Sequence, residues 1–260
     1  MTDKPIDRII SSQELVQELS QVEPQKAFKI GFYNLDKMLN GIKEGDLIIL
    51  SGLTGSGKTE LSVSIAKKFI EQNINCLFFS YEISSQELLE RFGVPIPVFY
   101  LPRIVKSKAT SWIEEKIIEA RKNFNAKIIF IDHLHYLIDD FTTRSKNTAD
   151  MLGQICRDFK RIAREQRIII VLLAHTRKFS TTRPYLQDIK DSSGIIQEAD
   201  VVMIIHRIGK RRKRITENED TEEFEVSNKA ILYIDKVRRR GGKLGKIGLE
   251  FDGKQYYEFG

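Results

Sequence analysis

From Phe28 onward the chain alternates short, unbroken apolar runs with longer segments whose apolar residues recur every three or four positions. That alternation predicts a mainly parallel sheet wrapped by helices, because strands covered on both faces read as continuous hydrophobic runs. The runs at 47–51, 76–81, 127–132, 168–174 and 201–205 are the core-strand candidates, with helices predicted over 59–72, 85–92, 111–124 and 147–165. After Arg207 the rhythm changes. Segments 231–236, 246–251 and 255–259 read as short antiparallel strands, separated by the turn signals Gly241-Gly242 and Asp252-Gly253. Pro95, Pro97 and Pro102 make 93–103 a connector rather than a helix.

The first 28 residues stand apart. Ser11 and Glu14 form an S-x-x-E capping box ahead of Leu15, Val16, Leu19 and Val22, which share one helical face. The expectation is an N-terminal extension over 1–28 carrying a short amphipathic linker helix, then one α/β domain over 29–260. A helix that short needs a surface to dock on, either its own domain or a neighbouring subunit.

Composition narrows the class. The length of 260 residues suits one sizeable core. Lys+Arg 42 against Asp+Glu 36 leaves a net charge of +6, which points to a polyanionic partner. Only Cys76 and Cys156 are present, and they fit neither a metal-binding spacing nor a disulfide framework, so both read as thiols in a reducing cytoplasm. No stretch approaches the ~18 apolar residues of a membrane span, and positions 1–10 lack the apolar run of a signal peptide.

The chemistry begins at Gly52-Leu53-Thr54-Gly55-Ser56-Gly57-Lys58-Thr59, which fits the phosphate-loop pattern GxxxxGK[ST] directly after the first core strand. Glycines let successive backbone N–H groups curl around a phosphate, and the following helix aims its positive end at the same anion. Gly52, Thr54, Gly55, Ser56, Gly57, Lys58 and Thr59 are the expected nucleotide contacts. Lys58 supplies a mobile charge and Thr59 a hydroxyl for Mg2+. Asp132 ends the apolar run Ile128-Ile129-Phe130-Ile131, the Walker B form, and is the second expected Mg2+ residue.

Glu82 follows the run 76–81, where a carboxylate would orient attacking water; otherwise it is a helix N-terminal acid ahead of Ser84 and Ser85. His175 emerges from the run 168–174 and would sense the γ-phosphate. His133 and His135 share one face of an extended segment and invite a metal reading. No third ligand is evident nearby in the sequence, so they are expected to be structural.

Five segments together resemble the RecA-like P-loop motor of the DnaB-type replicative helicases, over residues 29–260. They are the lead-in Gly31-Phe32-Tyr33-Asn34-Leu35-Asp36 with Gly41 to Asp46, the Ser80-Tyr81-Glu82 triplet, and Ile131-Asp132-His133-Leu134. The block from Asp188 to Asp200, which is similar to DLR-x-SG-x-I-x-x-x-AD, and Lys236-Val237-Arg238 complete the set. The resemblance implies ATP and Mg2+ as cofactors, a hexameric ring, and 5′ to 3′ translocation on single-stranded DNA with hydrolysis at subunit interfaces. It implies that Glu82 is the catalytic base and that Arg238, with Lys236 beside it, reaches the neighbour's nucleotide. The nucleotide base is expected to be met by Arg207 or by the tyrosines Tyr256 and Tyr257, residue types that also serve as ordinary packing.

Where bacterial members carry glutamine, this chain has His175, as in the phage and mitochondrial branch. Other replication proteins are expected as partners in general terms. Loader and primase contacts are not carried over, because the family's larger N-terminal module has no match here.

For DNA, Arg177, Lys178 and Arg183 lie among hydroxyl residues just after His175, a composition that suits contacts with a single-strand backbone. Arg144 and Lys146 are a weaker candidate, opposed by Asp139 and Asp140. The basic run 210–214 faces an acidic stretch at 217–225, so it reads equally as a neutralised hairpin or a binding element. The alternative function is a RecA-fold regulatory or recombination-related ATPase that binds DNA or protein without unwinding.

Overall fold

The computed structural model describes residues 9–21, 26–106, 109–138, 148–177, 183–190, 192–216 and 219–259, with backbone only at 192, 210–216 and 219–226. Helix α1 (Ser12–Ser20) precedes a small antiparallel pair, β1 (Ala27–Phe28) and β2 (Ile42–Lys43), which brackets α2 (Tyr33–Leu39). Then follow β3 (Leu47–Gly52), α3 (Lys58–Glu71), β4 (Cys76–Ser80), α4 (Ser85–Phe92), α5 (Thr110–Phe124), β5 (Ile128–Asp132), α6 (Thr148–Gln166) and β6 (Ile169–His175). Helix α7 (Ser192–Glu198), β7 (Val201–Thr216), β8 (Glu219–Val237), β9 (Gly245–Phe251) and β10 (Tyr256–Phe259) complete the order.

Eight strands form one sheet in the order β10-β9-β8-β7-β3-β6-β5-β4. The five from β7 to β4 run parallel, and β8, β9 and β10 extend the sheet antiparallel. Every residue of β3 and β5 is buried, since helices cover both faces, and this is why those segments read as unbroken apolar runs. Alternate residues feed two cores. Ile48, Leu50, Phe78 and Phe130 face the α2–α4 side with Phe69, whereas Leu47, Ile49, Phe79 and Ile131 face the α5–α7 side with Phe159. Phe78 stacks on Phe130 at 4.5 Å and 8° across the β4–β5 pair.

At the sheet's N-terminal edge, the Gly41 to Asp46 lead-in is a charge hub. Glu44 accepts from Lys127 Nζ at 2.5 Å and Arg167 Nε at 3.0 Å. Burial alone would raise its pKa, but the hydrogen bonds and charges of Lys127 and Arg167 outweigh this and lower it. Asp46 pairs with Arg239, whose guanidinium also donates to the Gly41 carbonyl. Arg239 therefore departs from the solvated basic turn expected of it; Arg240 next to it is exposed.

Three further departures have physical causes. Helix α2 lies inside the lead-in motif and was not legible as a helix; it buries Leu35 and Leu39 and has its N-terminus capped by the distant Glu258, which accepts from Asn34 and Leu35 N–H at 3.0 Å each. Helix α7 was hidden in the same way inside the Asp188 to Asp200 block. Strands β7 and β8 run far past 201–205 and 231–236, pairing as a ribbon out to Thr216 and Glu219. The basic run is thus strand, with Lys210 opposite Glu225, Arg212 opposite Glu223 and Lys213 opposite Glu222 along the ladder.

Ser11 caps α1 by accepting from the Glu14 N–H at 3.1 Å, and no residue of that helix is buried; Leu15, Val16 and Leu19 are exposed. Among the described residues no helix is long and apolar enough to cross a membrane.

Candidate active site

Parallel pairing brings the C-terminal ends of β3, β6, β5 and β4 to one edge of the sheet. Between β3 and α3 the phosphate loop turns through Gly55 and Gly57, at φ +76° and +91°, values that disfavour any side chain. A Cβ on Gly57 would also collide with the Tyr256 hydroxyl, and one on Gly52 would meet the Ser56 Oγ at 2.5 Å and the Ile205 carbonyl at 2.6 Å. The loop backbone is left bare where an anion must approach it closely.

Lys58 Nζ is folded under the loop. It donates to the carbonyls of Gly52 at 3.1 Å and Leu53 at 3.0 Å, and to His175 Nδ1 at 3.0 Å. Because an ammonium only donates, His175 Nδ1 is an acceptor and its proton sits on Nε2. Burial first, then the Lys58 charge, holds the His175 pKa down at about 4. Burial lowers the Lys58 pKa as well, opposed by Glu82 and Asp132.

Thr59 Oγ1 donates to Asp132 Oδ2 at 2.9 Å, whereas Asp132 Oδ1 is buried with no partner among the described residues. Burial pushes the Asp132 carboxyl up to about 6 against the Thr59 hydrogen bond. A hydroxyl and a half-satisfied carboxylate beside a phosphate loop are an oxygen donor set that fits Mg2+.

Glu82 lies on an exposed bend after β4, held by Ser80 Oγ donating to the Ile83 carbonyl at 2.6 Å. Strands β6 and β5 separate β4 from β3, yet the bend reaches back over the edge. Ligand atoms of Glu82, His133 and His175 lie within 4.8 Å of one another. Helix α4 has its own cap, since Ser84 and Glu87 exchange reciprocal hydrogen bonds, so Glu82 is not needed for capping.

Other expected residues lie elsewhere. Lys236 Nζ and the Arg238 guanidinium both donate to the Gln197 carbonyl at the end of α7, Lys236 also to Ile196, and Arg238 Nη1 stands 3.8 Å from Asp200 Oδ1. Val237 is paired with Val201, which is paired with Ile48, so Arg238 sits at the edge opposite Gly52. Four strand residues separate those levels, roughly 13 Å along the sheet.

Arg207 is on the loop side, where β7 bulges, and donates to the Ser227 carbonyl at 2.9 Å. Tyr256 is buried over the loop, and Tyr257 is exposed. Arg177 is exposed just past His175, and Lys178 lies outside the described residues, as do Arg144 and Lys146. Arg183 is held by Asp235 at 3.4 Å and by the rings of Tyr185 and Tyr233.

Two residues acquire contacts that the sequence did not suggest. Tyr256 roofs Gly57, and the ring of His133, 1% exposed, lies 3.7 Å from that of His175 at a tilt of 46°. The sequence expected His133 to be structural and Tyr256 to lie near the base, and nothing in it marked these two contacts.

A phosphate loop on a central strand, with a carboxylate at the end of the second strand over and antiparallel strands beyond, defines a RecA-like nucleotide-binding domain. The description DnaB-like helicase C terminal domain matches residues 27–95 and 101–260, and the chain belongs to that family. It is 27% identical to the Replicative DNA helicase DnaB of Mycoplasma pneumoniae over 93% of this chain and 60% of that relative. It is 28% identical to the Probable replicative DNA helicase of Trieres chinensis over 85% of this chain and 54% of that one. The solved structure of a DnaB-like replicative helicase, described with its primase interactions, shares the fold, with a TM-score of 0.73 at 18% identity, covering 98% of this chain and 68% of that one. A second solved structure, of an ATPase domain, matches with the same TM-score of 0.73 over 95% of this chain and 97% of its own. The chain thus spans little more than half the length of the curated relatives it matches.

Proposed function

We propose that this chain is the motor of an ATP-driven DNA helicase, which forms a hexameric ring in the cytoplasm and moves 5′ to 3′ on single-stranded DNA. The observation that carries the reading is the separation of Arg238 and Lys236 from their own phosphate loop: one edge of the sheet carries that loop and the opposite edge carries the two cations. Stacked head to tail, each chain would present Arg238 to its neighbour's γ-phosphate, where an arginine offsets developing charge.

Backbone N–H groups of 52–59 hold the phosphates, and Lys58 swings from the Gly52 and Leu53 carbonyls to the β- and γ-oxygens. Thr59 and Asp132 would hold Mg2+, which neutralises phosphate charge when bound. Glu82 orients the attacking water and takes its proton. Arg207 and Tyr257 flank the base. His175 reads the γ-phosphate and passes its state onward. Its carbonyl accepts from Lys190 N–H at 3.0 Å, and Arg177 N–H donates to the Asp188 carbonyl at 2.6 Å, so the sensor and the following loop are tied to one short bridge. Arg177 and Lys178 contact the DNA backbone, with Arg183 as the loop's fixed root.

A forked-DNA unwinding assay with ATP, run beside Lys58→Ala, tests the proposal. The expected result is hydrolysis stimulated by single-stranded DNA and unwinding lost in the variant. Hydrolysis indifferent to DNA, from a chain that remains monomeric, would overturn it.

A further inference from the structure

We propose that Glu82, His133 and His175 form a binding site for a borderline divalent transition ion of the Zn2+ class, separate from the oxygen-lined position at Thr59 and Asp132. Three strand ends build it: β4 leads into Glu82, β5 into His133, and β6 ends at His175. Their ligand atoms lie within 4.8 Å of one another, so a point exists no more than about 2.8 Å from all three. Zn–N and Zn–O bonds are about 2.0–2.2 Å, so closure takes under roughly 1 Å per ligand. Glu82, on its exposed bend, has room to supply that movement.

His133 is the second observation. It is 1% exposed, and neither ring nitrogen has a hydrogen-bond partner among the described residues. A buried imidazole aimed at two other ligand groups, with neither nitrogen satisfied by the fold, calls for a partner of another kind. Its neighbours His175 and His135, ring to ring at 3.7 and 5.1 Å, surround it with further imidazoles. Two imidazoles and one carboxylate select Zn2+, Co2+ or Ni2+ over Mg2+, which prefers oxygen alone.

The ion would also act on the nucleotide site. Lys58 donates to His175 Nδ1. A metal on Nδ1 displaces Lys58, and a metal on Nε2 needs the ring proton at Nδ1, so Lys58 must withdraw in either case. Glu82 would have a carboxylate oxygen committed to the ion and its negative charge drawn away from the water. The bound state therefore holds nucleotide without turning it over, a consequence that rests on the reading of Glu82 as the base.

The test uses untagged, chelator-stripped protein without nucleotide, titrated with Zn2+ by calorimetry and with Co2+ by visible absorption. One ion per chain is expected, with affinity falling about tenfold or more in Glu82→Gln and in His133→Leu. Glu82 is exposed, so its variant reports on the site even if the His133 variant folds poorly; circular dichroism checks both. No binding by the wild type, or equal affinity in Glu82→Gln, would overturn the site. In a second arm, free Zn2+ set by a chelating buffer should lower kcat while nucleotide affinity holds. Stoichiometric Zn2+ with unchanged kcat would leave the site standing and remove Glu82 from its role as base.

Discussion

Glu44 is gripped through both carboxylate oxygens, by Lys127 and Arg167, at a position 6% exposed. Its lowered pKa means that the folded state prefers the ionised form, so the stabilisation is present above the ordinary carboxylate range and disappears as pH falls through the depressed value. Glu44→Gln should cost about 1–3 kcal/mol near neutral pH, with the cost shrinking toward zero in acid; urea midpoints across pH check this. The convergence of the phosphate loop, Asp132 and Glu82 on one edge was legible from the sequence, because strand ends meet at one edge of a parallel sheet whatever else the fold does. The fate of Arg239 was not legible. It and Arg240 are identical neighbours, and only the tertiary approach of Asp46 and Gly41 draws one of them partly out of solvent.

Among the elements, helix α7 shows what the Asp188 to Asp200 block does physically. Gly194 of α7 and Gly153 of α6 meet backbone to backbone: a Cβ on Gly194 would lie 2.6 Å from the Gly153 Cα, and one on Gly153 would lie 3.2 Å from the Gly194 Cα. The block's glycine is a packing device. At its far end Asp200 accepts from Leu47 N–H at 2.8 Å and Lys160 Nζ at 2.5 Å, fixing α7 to the start of β3. Gly194→Ala should destabilise the fold by about 1–3 kcal/mol through overpacking, despite alanine's better helix propensity, as thermal unfolding would show. Helix α4, bounded by a clear cap, agreed with the periodic pattern residue for residue, and α3, α5 and α6 agreed to within one residue at each end. Helices α2 and α7 were obscured because their seven-residue lengths hold too few turns for periodicity to show.

For the whole molecule, antiparallel β8 is the decisive turn of the chain, since it returns Lys236 and Arg238 to the edge that β3 leaves. A mixture of Lys58→Ala and Arg238→Ala chains tests whether a site is shared. Each variant alone should be nearly inactive in ATP hydrolysis. In a random equal mixture, about a quarter of head-to-tail contacts join an intact phosphate loop to an intact Arg238, and activity should recover toward that fraction. Sites complete within single chains would show no recovery.

The two edges also give the protein a direction. A chain that gives from one side and receives on the other leaves, in any open stack, one terminal nucleotide site without a donor and one terminal Arg238 without a recipient. Closing the stack removes both ends at once. On the proposed head-to-tail stacking, output per chain should rise as dilute protein is concentrated into short stacks, and rise once more at closure, so that the chain would count its neighbours before it spends ATP.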